Sequence, residues 1–357
     1  MFAFLMVLLW VILTFLKENP LVLLLKANCK RFFFMKFRLF YAGILMCFVS
    51  GLILIQCKKE NTAETQSDQI VSQNPTDSLA KKDTVVAEPA AKENIKFTAF
   101  VFPEGKKKKD SAMAAFNDKF SKEERYTILA LNRLDSKNKW RADTLVIPEK
   151  IETDFLKYTP FPVRIDLLKD VKKIAFFDYA IHAYALYDNG NLVKWGPSSM
   201  GKKATPTKKG LMFTNWKKEE AISTSNDEWK LRWNFNIHNT MGIGWHQYDL
   251  PGYHASHSCL RLLEEDAKWM YNWADQWVIT NNGQTLKAKG TPVIVFGETD
   301  FKSKPWMKLL DSPNANDVSL DEMNELIEPH LDEILKEQKN SEQVRAQRAA
   351  ETKKDAA

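Results

Sequence analysis

The chain has 357 residues, a length that allows about two domains, and its 45% hydrophobic and 12% aromatic content is enough for a packed core. The formal charge is +6, and the basic residues are spread along the sequence. No basic stripe with regularly spaced aromatic residues occurs, which argues against a nucleic-acid-binding protein. The positive charge indicates solubility or a weak attraction to an anionic polymer or membrane surface.

Residues 1–57 have the composition of a signal or membrane segment. Apolar runs cover residues 1–16 and 39–55, and basic residues directly precede the second run, a layout typical of an export signal. Gln56 and Cys57 follow the second run. Cys57 resembles the lipidation site of a bacterial lipoprotein, although Gln56 stands where a small residue is usual. We therefore expect a membrane-anchored protein of the cell envelope that faces the periplasm. Two transmembrane helices are the alternative, because each run falls only slightly short of the ~20 residues of a span.

Cysteine usage singles out one thiol. Three of the four cysteines, Cys29, Cys47 and Cys57, lie in this N-terminal segment, so Cys259 alone belongs to the globular part. A single thiol outside the cytoplasm has no disulfide partner and is exposed to oxidation. A catalytic role therefore explains Cys259 better than a packing role.

Composition divides the rest of the chain into a linker, a small module, a main domain and a tail. Residues 58–96 contain no aromatic residue and predict a flexible linker. Residues 97–150 carry a helical apolar pattern followed by a short strand, which resembles the second half of a LysM glycan-binding repeat. An ordinary helix–strand spacer is the alternative. Residues 298–357 predict a helical tail, in which Ser319 and Glu322 form a capping box.

The main domain, residues 164–297, has the pattern of short strands separated by turns. Apolar runs rich in β-branched and aromatic residues recur, and residues 188–191, Asp-Asn-Gly-Asn, are a strong hairpin-turn signal. The pattern predicts a mostly β, mostly antiparallel domain. One helix over residues 264–277 interrupts it.

Two features of the main domain are assigned to packing. Trp269, Trp273 and Trp277 repeat every four residues on the predicted helix and predict a core-facing stripe, with stacking on sugars as the alternative. His182 lies in a predicted strand and is interpreted as a partly buried hairpin residue without a catalytic role.

Reactive side chains concentrate in residues 238–261. Four of the six histidines fall there, together with Cys259 and Arg261. A thiol becomes a good nucleophile when an imidazole takes its proton, and the oxyanion that forms on a carbonyl needs hydrogen-bond donors. An arginine can hold a substrate carboxylate. The segment therefore predicts nucleophilic catalysis by Cys259.

The spacing of these residues resembles a known family. His238, 17 further residues and then Ser256-His257-Ser258-Cys259-Leu260-Arg261 are similar to the signature of the L,D-transpeptidases with a YkuD-like catalytic domain. Residues 205–210, Thr-Pro-Thr-Lys-Lys-Gly, resemble the proline-containing loop before a strand of that domain. The resemblance covers residues 170–297.

This resemblance implies a β-sandwich-like fold and a cysteine acyltransferase that acts on peptidoglycan stem peptides without a cofactor. Cys259 would attack the carbonyl between the third-residue diamino acid and D-alanine, and an amine of another stem would resolve the thioester into a 3→3 cross-link. His238 would be the base, with its tautomer fixed by a backbone carbonyl, and His257 with nearby amides would form the oxyanion site. The implied substrate-binding residues are Arg261, Ser258 and Ser256, and Arg261 could instead hold the loop.

One position departs from the family pattern, because Ser258 replaces a glycine. If the backbone there adopts a positive φ, serine is strained by about a kilocalorie or more. This departure leaves a non-catalytic peptidoglycan-binding lipoprotein open as an alternative. A carboxypeptidase, with water as the acceptor, is another.

A zinc site is a further alternative. His254, His257 and Cys259 could ligate zinc together with His246 or His238. Their spacing fits no common zinc pattern, so the sequence predicts no metal at this site.

Overall fold

The computed structural model describes residues 95–223 and 226–355. The predicted signal or membrane segment, its lipidation site Cys57 and almost all of the predicted linker lie outside these residues. Within the described ranges, no helix is both long enough and apolar enough to cross a membrane.

The N-terminal part of the described chain is a small unit of two strands and two helices. Strand β1 (Phe97–Val101) pairs antiparallel with β2 (Thr144–Pro148). Helices α1 (Lys106–Lys119) and α2 (Lys122–Leu131) lie between them in the chain. The sequence predicted the second helix and the second strand. The first strand and the first helix went unrecognised, because α1 opens with four lysines and buries only Phe116.

Local chemistry explains where α2 begins. The Ser121 hydroxyl accepts a hydrogen bond from the Glu124 amide, and the Glu124 carboxylate accepts one from the Ser121 amide, which forms a capping box. The C-terminal part of the helix, residues 127–131, is buried on all sides.

Two sheets build the main domain. Its strands are β3 (Ile174–Asp178), β4 (Ala183–Asp188), β5 (Asn191–Pro197), β6 (Gly210–Phe213), β7 (Lys217–Ile222), β8 (Lys230–His238), β9 (Ile243–Gln247), β10 (Leu260–Leu262), β11 (Val278–Ile279), β12 (Leu286–Ala288) and β13 (Pro292–Phe296). One sheet has the order β5-β4-β3-β13-β6 and the other β10-β9-β8-β7, with β11 and β12 as a separate pair. Only β13–β3 and β10–β9 are parallel among these described strands, so the mostly antiparallel prediction is confirmed.

The core has two layers because side chains alternate along each strand. In β3, Ala175 and Phe177 face the second sheet, where they join Phe235 and Trp245. Phe176 points to the opposite face, which carries the tail helices. The five-stranded sheet is therefore covered on both sides.

The turns flanking β4 gave one correct prediction and one error. The hairpin after β4 has two central residues, Asn189 with φ 48° and Gly190 with φ 78°, as a type I′ turn requires. His182 lies in the turn before β4 rather than in the strand, has φ 54° and is 1% exposed. The prediction of a partly buried strand residue was therefore wrong, because the chain turns one residue later than the apolar pattern suggested.

Helix α3 (Glu264–Trp273) follows the cysteine as predicted but ends four residues early. Ala274 adopts an extended conformation, and the Trp277 amide donates to the Asn215 carbonyl. Trp277 is therefore not on the helix. Trp269 is 37% exposed, so the predicted core-facing stripe was wrong for it.

The tail consists of α4 (Leu320–Ile327) and α5 (Leu331–Asp355), separated by a 3₁₀ turn at Glu328–His330. The Ser319 hydroxyl caps α4 by accepting from the Glu322 amide. Gln338 of α5 bonds the main domain through the Lys172 amide and the Asp170 carbonyl. The tail therefore packs on the main domain, whereas its role and the predicted domain boundaries stay predictions.

Candidate active site around Cys259

Cys259 directly precedes β10, at the end of a bend formed by residues 257–259. Strand β10 runs parallel to β9, and this pairing brings the thiol beside the start of β9. The sulfur lies 3.8 Å from the Gly242 carbonyl oxygen and accepts a hydrogen bond from the Gly244 amide. A Cβ on Gly244 would come within 2.6 Å of the Phe235 carbonyl oxygen, so glycine permits the close approach of β9 to β8.

Opposing effects set the ionisation of this thiol. Burial raises the pKa of Cys259 above its ordinary value, while the Gly244 hydrogen bond and the Arg261 guanidinium lower it. Burial dominates, so the thiol is protonated at neutral pH. A base is therefore needed to generate the thiolate.

The thiol opens into a pocket of about 120 Å³. Three large aromatic side chains line it, and among the described residues that line it none is acidic. The aromatic residues are Trp216, Trp229 and Tyr248, and His257 and Arg261 also line the pocket. This lining suits a ligand with apolar parts and negative charge.

His238 is the last residue of β8 and lies outside the lining of the pocket. It pairs with Ile243, whose two chain neighbours, Gly242 and Gly244, contact the Cys259 sulfur. Strand pairing therefore brings the predicted base and nucleophile to the same end of β9.

The hydrogen-bond partners of His238 differ from the prediction. The Met241 amide donates to Nδ1 at 3.3 Å, and the Lys208 ammonium lies 3.3 Å from Nε2. The turn after β8 folds the Met241 amide back over the ring, in the place where a carbonyl was expected. An uncharged ring has one acceptor nitrogen, so it can accept from the Met241 amide at Nδ1 or from the Lys208 ammonium at Nε2, but not from both.

His257 lines the pocket beside the nucleophile. Its Nε2 lies 3.0 Å from the Lys202 ammonium, and its ring centroid is 5.0 Å from that of Trp229. Partial burial, then Lys202 and Arg261, lower the pKa of His257. The imidazole is therefore uncharged at neutral pH and can act as a hydrogen-bond donor.

Arg261 lies on β10, two residues after the nucleophile. Its guanidinium stacks on Tyr248 at 4.5 Å, and one of its nitrogens donates to the Asp249 carbonyl at 3.4 Å. These contacts hold the loop after β9, and the pocket-lining position leaves the guanidinium available to an anion. Both predicted roles stay predictions.

The two serines of the motif are placed differently. Ser256 is 2% exposed, and its hydroxyl donates to the Cys259 carbonyl, so the structure favours a role in holding the bend over the predicted substrate contact. Ser258 has φ 83°, a conformation that favours glycine. The condition for strain at this position is thus met.

The histidines of the alternative zinc site have other partners. His254 accepts from the Met200 amide at Nδ1 and bonds the Tyr179 carbonyl at Nε2, so both of its nitrogens are occupied. Burial lowers the pKa of His254 and of His246 to about 4. In residues 95–223 and 226–355, no group of three or more His, Cys, Asp or Glu is arranged to hold a metal.

The loop between β5 and β6 contributes residues that the sequence interpretation missed. Lys202 contacts His257, Lys208 contacts His238, and the Thr207 hydroxyl donates to the Ser258 carbonyl. The resemblance marked residues 205–210 without assigning them a role. Their lysines, close to a proline and a glycine, were the available signal.

Comparisons with known proteins concern the domain that contains this site. Residues 172–295 match the model of the YkuD L,D-transpeptidase catalytic domain. The mostly β architecture is consistent with the L,D-transpeptidase fold. No curated protein matches the chain.

Three solved structures are similar over about a third of the chain. An L,D-transpeptidase from Stackebrandtia nassauensis is 21% identical over 37% of this chain and 58% of that chain, with a TM-score of 0.30. An L,D-transpeptidase from Mycobacterium smegmatis is 22% identical over 35% of this chain and 58% of that chain, with a TM-score of 0.28. The catalytic domain of an L,D-transpeptidase from E. faecium is 24% identical over 35% of this chain and 98% of that chain, with a TM-score of 0.28. The chain thus spans less than two thirds of the first two proteins.

Proposed function

We propose that this chain is a peptidoglycan L,D-transpeptidase that uses Cys259 as its nucleophile. The observation that carries the proposal is the position of the sulfur within the matched domain. It faces a pocket free of described acidic residues and is hydrogen-bonded by the Gly244 amide, with His257 and Arg261 in the walls. A thiolate stabilised in this way suits attack on the carbonyl of an anionic peptide.

In the acylation step, the bond from the Met241 amide to Nδ1 of His238 breaks, and the freed lone pair takes the Cys259 thiol proton. The Cys259 thiolate attacks the carbonyl between the diamino acid and D-alanine. Backbone amides and His257 stabilise the oxyanion. Collapse breaks the C–N bond, the imidazolium returns its proton to the departing D-alanine amine, and a thioester remains.

In the second step, an amine of another stem peptide attacks the thioester carbonyl. His238 removes a proton from that amine, and the sulfur leaves to regenerate the thiol. The product is a 3→3 cross-link. If water replaces the amine, the same thioester is hydrolysed and the enzyme is an L,D-carboxypeptidase.

Arg261 is the proposed site for a carboxylate of the donor stem. Its guanidinium makes no salt bridge with any described residue, although its ring contact with Tyr248 fixes it at the pocket wall. A fixed and unpaired guanidinium binds a carboxylate at little cost in conformational entropy.

We also propose that the N-terminal segment anchors the enzyme at the membrane, with Cys57 as a lipidation site. The apolar run that ends at this cysteine supports the proposal. Replacing Cys57 by alanine should release the protein from membranes or leave an uncleaved precursor. Normal processing with unchanged membrane retention would favour a transmembrane anchor.

The proposed activity is tested by mass spectrometry of muropeptides incubated with the purified protein. Wild type should release D-alanine and form 3→3 linked dimers, and tetrapeptides shortened to tripeptides without dimers would identify water as the acceptor. Intact-mass analysis with a carbapenem should show one drug molecule on Cys259, absent in Cys259→Ala.

One observation favours a second candidate function, a non-catalytic peptidoglycan-binding protein. Ser258 occupies a left-handed backbone position that costs a serine about a kilocalorie or more. If folded wild type forms no adduct and Ser258→Gly does, the serine has switched the chemistry off. The binding function would then replace the enzyme.

A further inference from the structure

Thr207 connects the buried core to the backbone that precedes the nucleophile. Its side chain is 3% exposed, and its hydroxyl donates to the Ser258 carbonyl at 2.9 Å. The same hydroxyl accepts from the Gly201 amide at 3.0 Å. The Thr207 oxygen accepts from the Gly201 amide with a lone pair, and the single proton of the hydroxyl is donated to the Ser258 carbonyl.

A second hydroxyl fixes Thr207 itself. The Thr207 amide donates to the Tyr179 hydroxyl at 2.6 Å, and this hydroxyl donates to the Gly201 carbonyl at 3.1 Å. Tyr179 is 2% exposed. A Cβ on Gly201 would lie 2.3 Å from the Thr205 carbonyl oxygen, so the loop closes tightly around these bonds. The direction of the Thr207 hydroxyl is therefore set by buried groups.

This bond determines where the Cys259 amide points. The Ser258–Cys259 peptide is trans, as are all described peptide bonds, and in a trans peptide the C=O and the N–H point in opposite directions. Because Thr207 holds the Ser258 carbonyl on the buried side, the Cys259 N–H points away from the loop. Within the described residues, this N–H donates to no backbone carbonyl.

We propose that Thr207, fixed by Tyr179, is a positioning residue that aims the Cys259 amide at the oxyanion of the acyl-transfer step. The inference rests on the proposed acyl transfer and goes beyond it, because it assigns a role to residues that do not touch the reacting atoms. Ser258 is the hinge of this peptide, and its positive φ is maintained by the Thr207 bond instead of by a glycine.

Two reactions of the Cys259 sulfur distinguish the orientation of the Cys259 amide from the nucleophilicity of the thiolate. Acylation by a carbapenem adds the thiolate to a carbonyl, creates an oxyanion and opens the lactam C–N bond. Alkylation by iodoacetamide forms a C–S bond and expels iodide without any oxyanion. A wrongly oriented Cys259 amide slows only the acylation, whereas a less nucleophilic thiolate slows both the acylation and the alkylation.

The experiment compares Thr207→Val, Thr207→Ser and Tyr179→Phe with wild type in the full chain. Valine keeps the shape of threonine and removes the hydroxyl, whereas serine keeps the hydroxyl. Thr127→Val is the matched control, because Thr127 is a buried threonine in α2 whose hydroxyl bonds the Glu152 carbonyl. Carbapenem acylation is followed over a concentration series, and alkylation of Cys259 by mass spectrometry.

We expect Thr207→Val to lower the maximal acylation rate by roughly 10- to 100-fold, with half-saturation and alkylation within about twofold of wild type. Thr207→Ser should restore most of the rate. Tyr179→Phe should lower it by a smaller factor, since the Thr207 hydroxyl then loses its fixed direction. The Thr127→Val rate should equal that of wild type.

Unchanged acylation in Thr207→Val and Tyr179→Phe would overturn the inference, as would an equal loss of acylation and alkylation. If Thr207→Val does not fold, the ratio of the acylation rate to the alkylation rate in Tyr179→Phe tests the inference instead. Failure of the proposed function would show in wild type itself, as a Cys259 that is alkylated but never acylated.

Discussion

Two tight turns of this molecule place the backbone at positive φ, but they differ in how readily their residues adopt this conformation. The hairpin between β4 and β5 uses Asn189 and Gly190, which adopt this conformation readily. The bend before Cys259 uses Ser258 at φ 83°, where a serine is strained. The residues of the first turn adopt its backbone conformation without strain, although the Ile165 amide and the Val171 carbonyl also bond to it. The second turn needs contacts from elsewhere to hold its strained serine.

The difference shows where local sequence stops determining structure. The hairpin connects adjacent strands and lies far along the chain from the reactive segment. The Ser258 bend is held by the Thr207 hydroxyl and by the Lys202 amide, which donates to the Ser256 carbonyl. A residue held in an unfavourable conformation by its surroundings is typical of a functional site.

The largest effect should come from the sulfur of the second turn. We expect Cys259→Ser to abolish carbapenem acylation and D-alanine release, because an alkoxide is far harder to form than a thiolate at neutral pH. The thermal midpoint should change by no more than a few degrees, since the side chain is nearly isosteric. Intact-mass analysis and a melting curve measure both. Residual turnover at the wild-type rate would show that the nucleophile lies elsewhere.

A smaller loss should follow removal of the base. His238→Ala should slow acylation by about 10²- to 10⁴-fold while the protein stays folded. The same substitution at His257 is the comparison, because that ring contacts Lys202 and lines the pocket. Single-turnover kinetics measure both rates. Near-wild-type acylation in His238→Ala, with a large loss in His257→Ala, would transfer the base role to His257.

The hairpin should respond in the opposite way, with lost stability and intact chemistry. Gly190→Ala places a Cβ 2.5 Å from the Ile165 carbonyl oxygen at φ 78°. We expect the free energy of unfolding to fall by about 2–4 kcal/mol, from backbone strain and the clash together. Urea unfolding measures this, and the acylation rate of the folded fraction should match wild type. A slower rate would link the hairpin to the site.

The pH dependence of stability should report the buried His254 behind the nucleophile bend. Burial lowers its pKa to about 4 in the folded protein, against 6.5 as the ordinary value. The unfolded chain therefore binds more protons between these values, so stability is lost as the pH falls from about 6.5 towards 4.

We expect His254→Gln to reduce that acid-induced loss by about 2–3 kcal/mol, a rough value from 1.36 kcal/mol per pKa unit. Asp178, whose pKa burial raises to about 7, acts in the opposite direction but is common to both proteins. Urea unfolding at pH 7 and pH 4.5 gives the difference. An identical loss in wild type and variant would mean that His254 titrates normally.

The smallest effect should come from relieving the strain of the second turn. Ser258→Gly should raise the free energy of unfolding by about 0.5–1 kcal/mol, because glycine adopts φ 83° without strain but adds entropy to the unfolded chain. Asn189→Gly in the hairpin is the matched change, and it should have less effect. A destabilised Ser258→Gly would show that the serine hydroxyl, which donates to the His257 carbonyl, outweighs the strain.

The sequence predicted those parts of the molecule whose causes are local. The type I′ hairpin at Asn189 and Gly190, the strand pattern and the cap of α4 by Ser319 all depend on neighbouring residues. The end of α3 was wrong, because the Trp277 amide bonds the distant Asn215 carbonyl.

The candidate site likewise combines features that a local sequence pattern predicts with features that depend on distant contacts. Cys259 and His238 were predicted from their spacing, and strand pairing brings them to one end of β9. The contact of Lys208 with His238 and the bond from Thr207 to Ser258 join residues 30 and 51 positions apart in the chain. Such contacts exist only after the sheets have assembled, so no local pattern encodes them.

The pairing of β1 with β2 determines how the small N-terminal unit would respond to mechanical load. Phe97 pairs with Pro148, and the Glu149 amide donates to the Lys96 carbonyl, so the chain enters and leaves this unit at the same end of the sheet. A force that draws Ile95 away from the main domain therefore opens the pairs one after another from that end. Peeling of this kind proceeds at lower force than sliding, because the bonds break singly. The unit would thus extend first and leave the nucleophile's sheets intact.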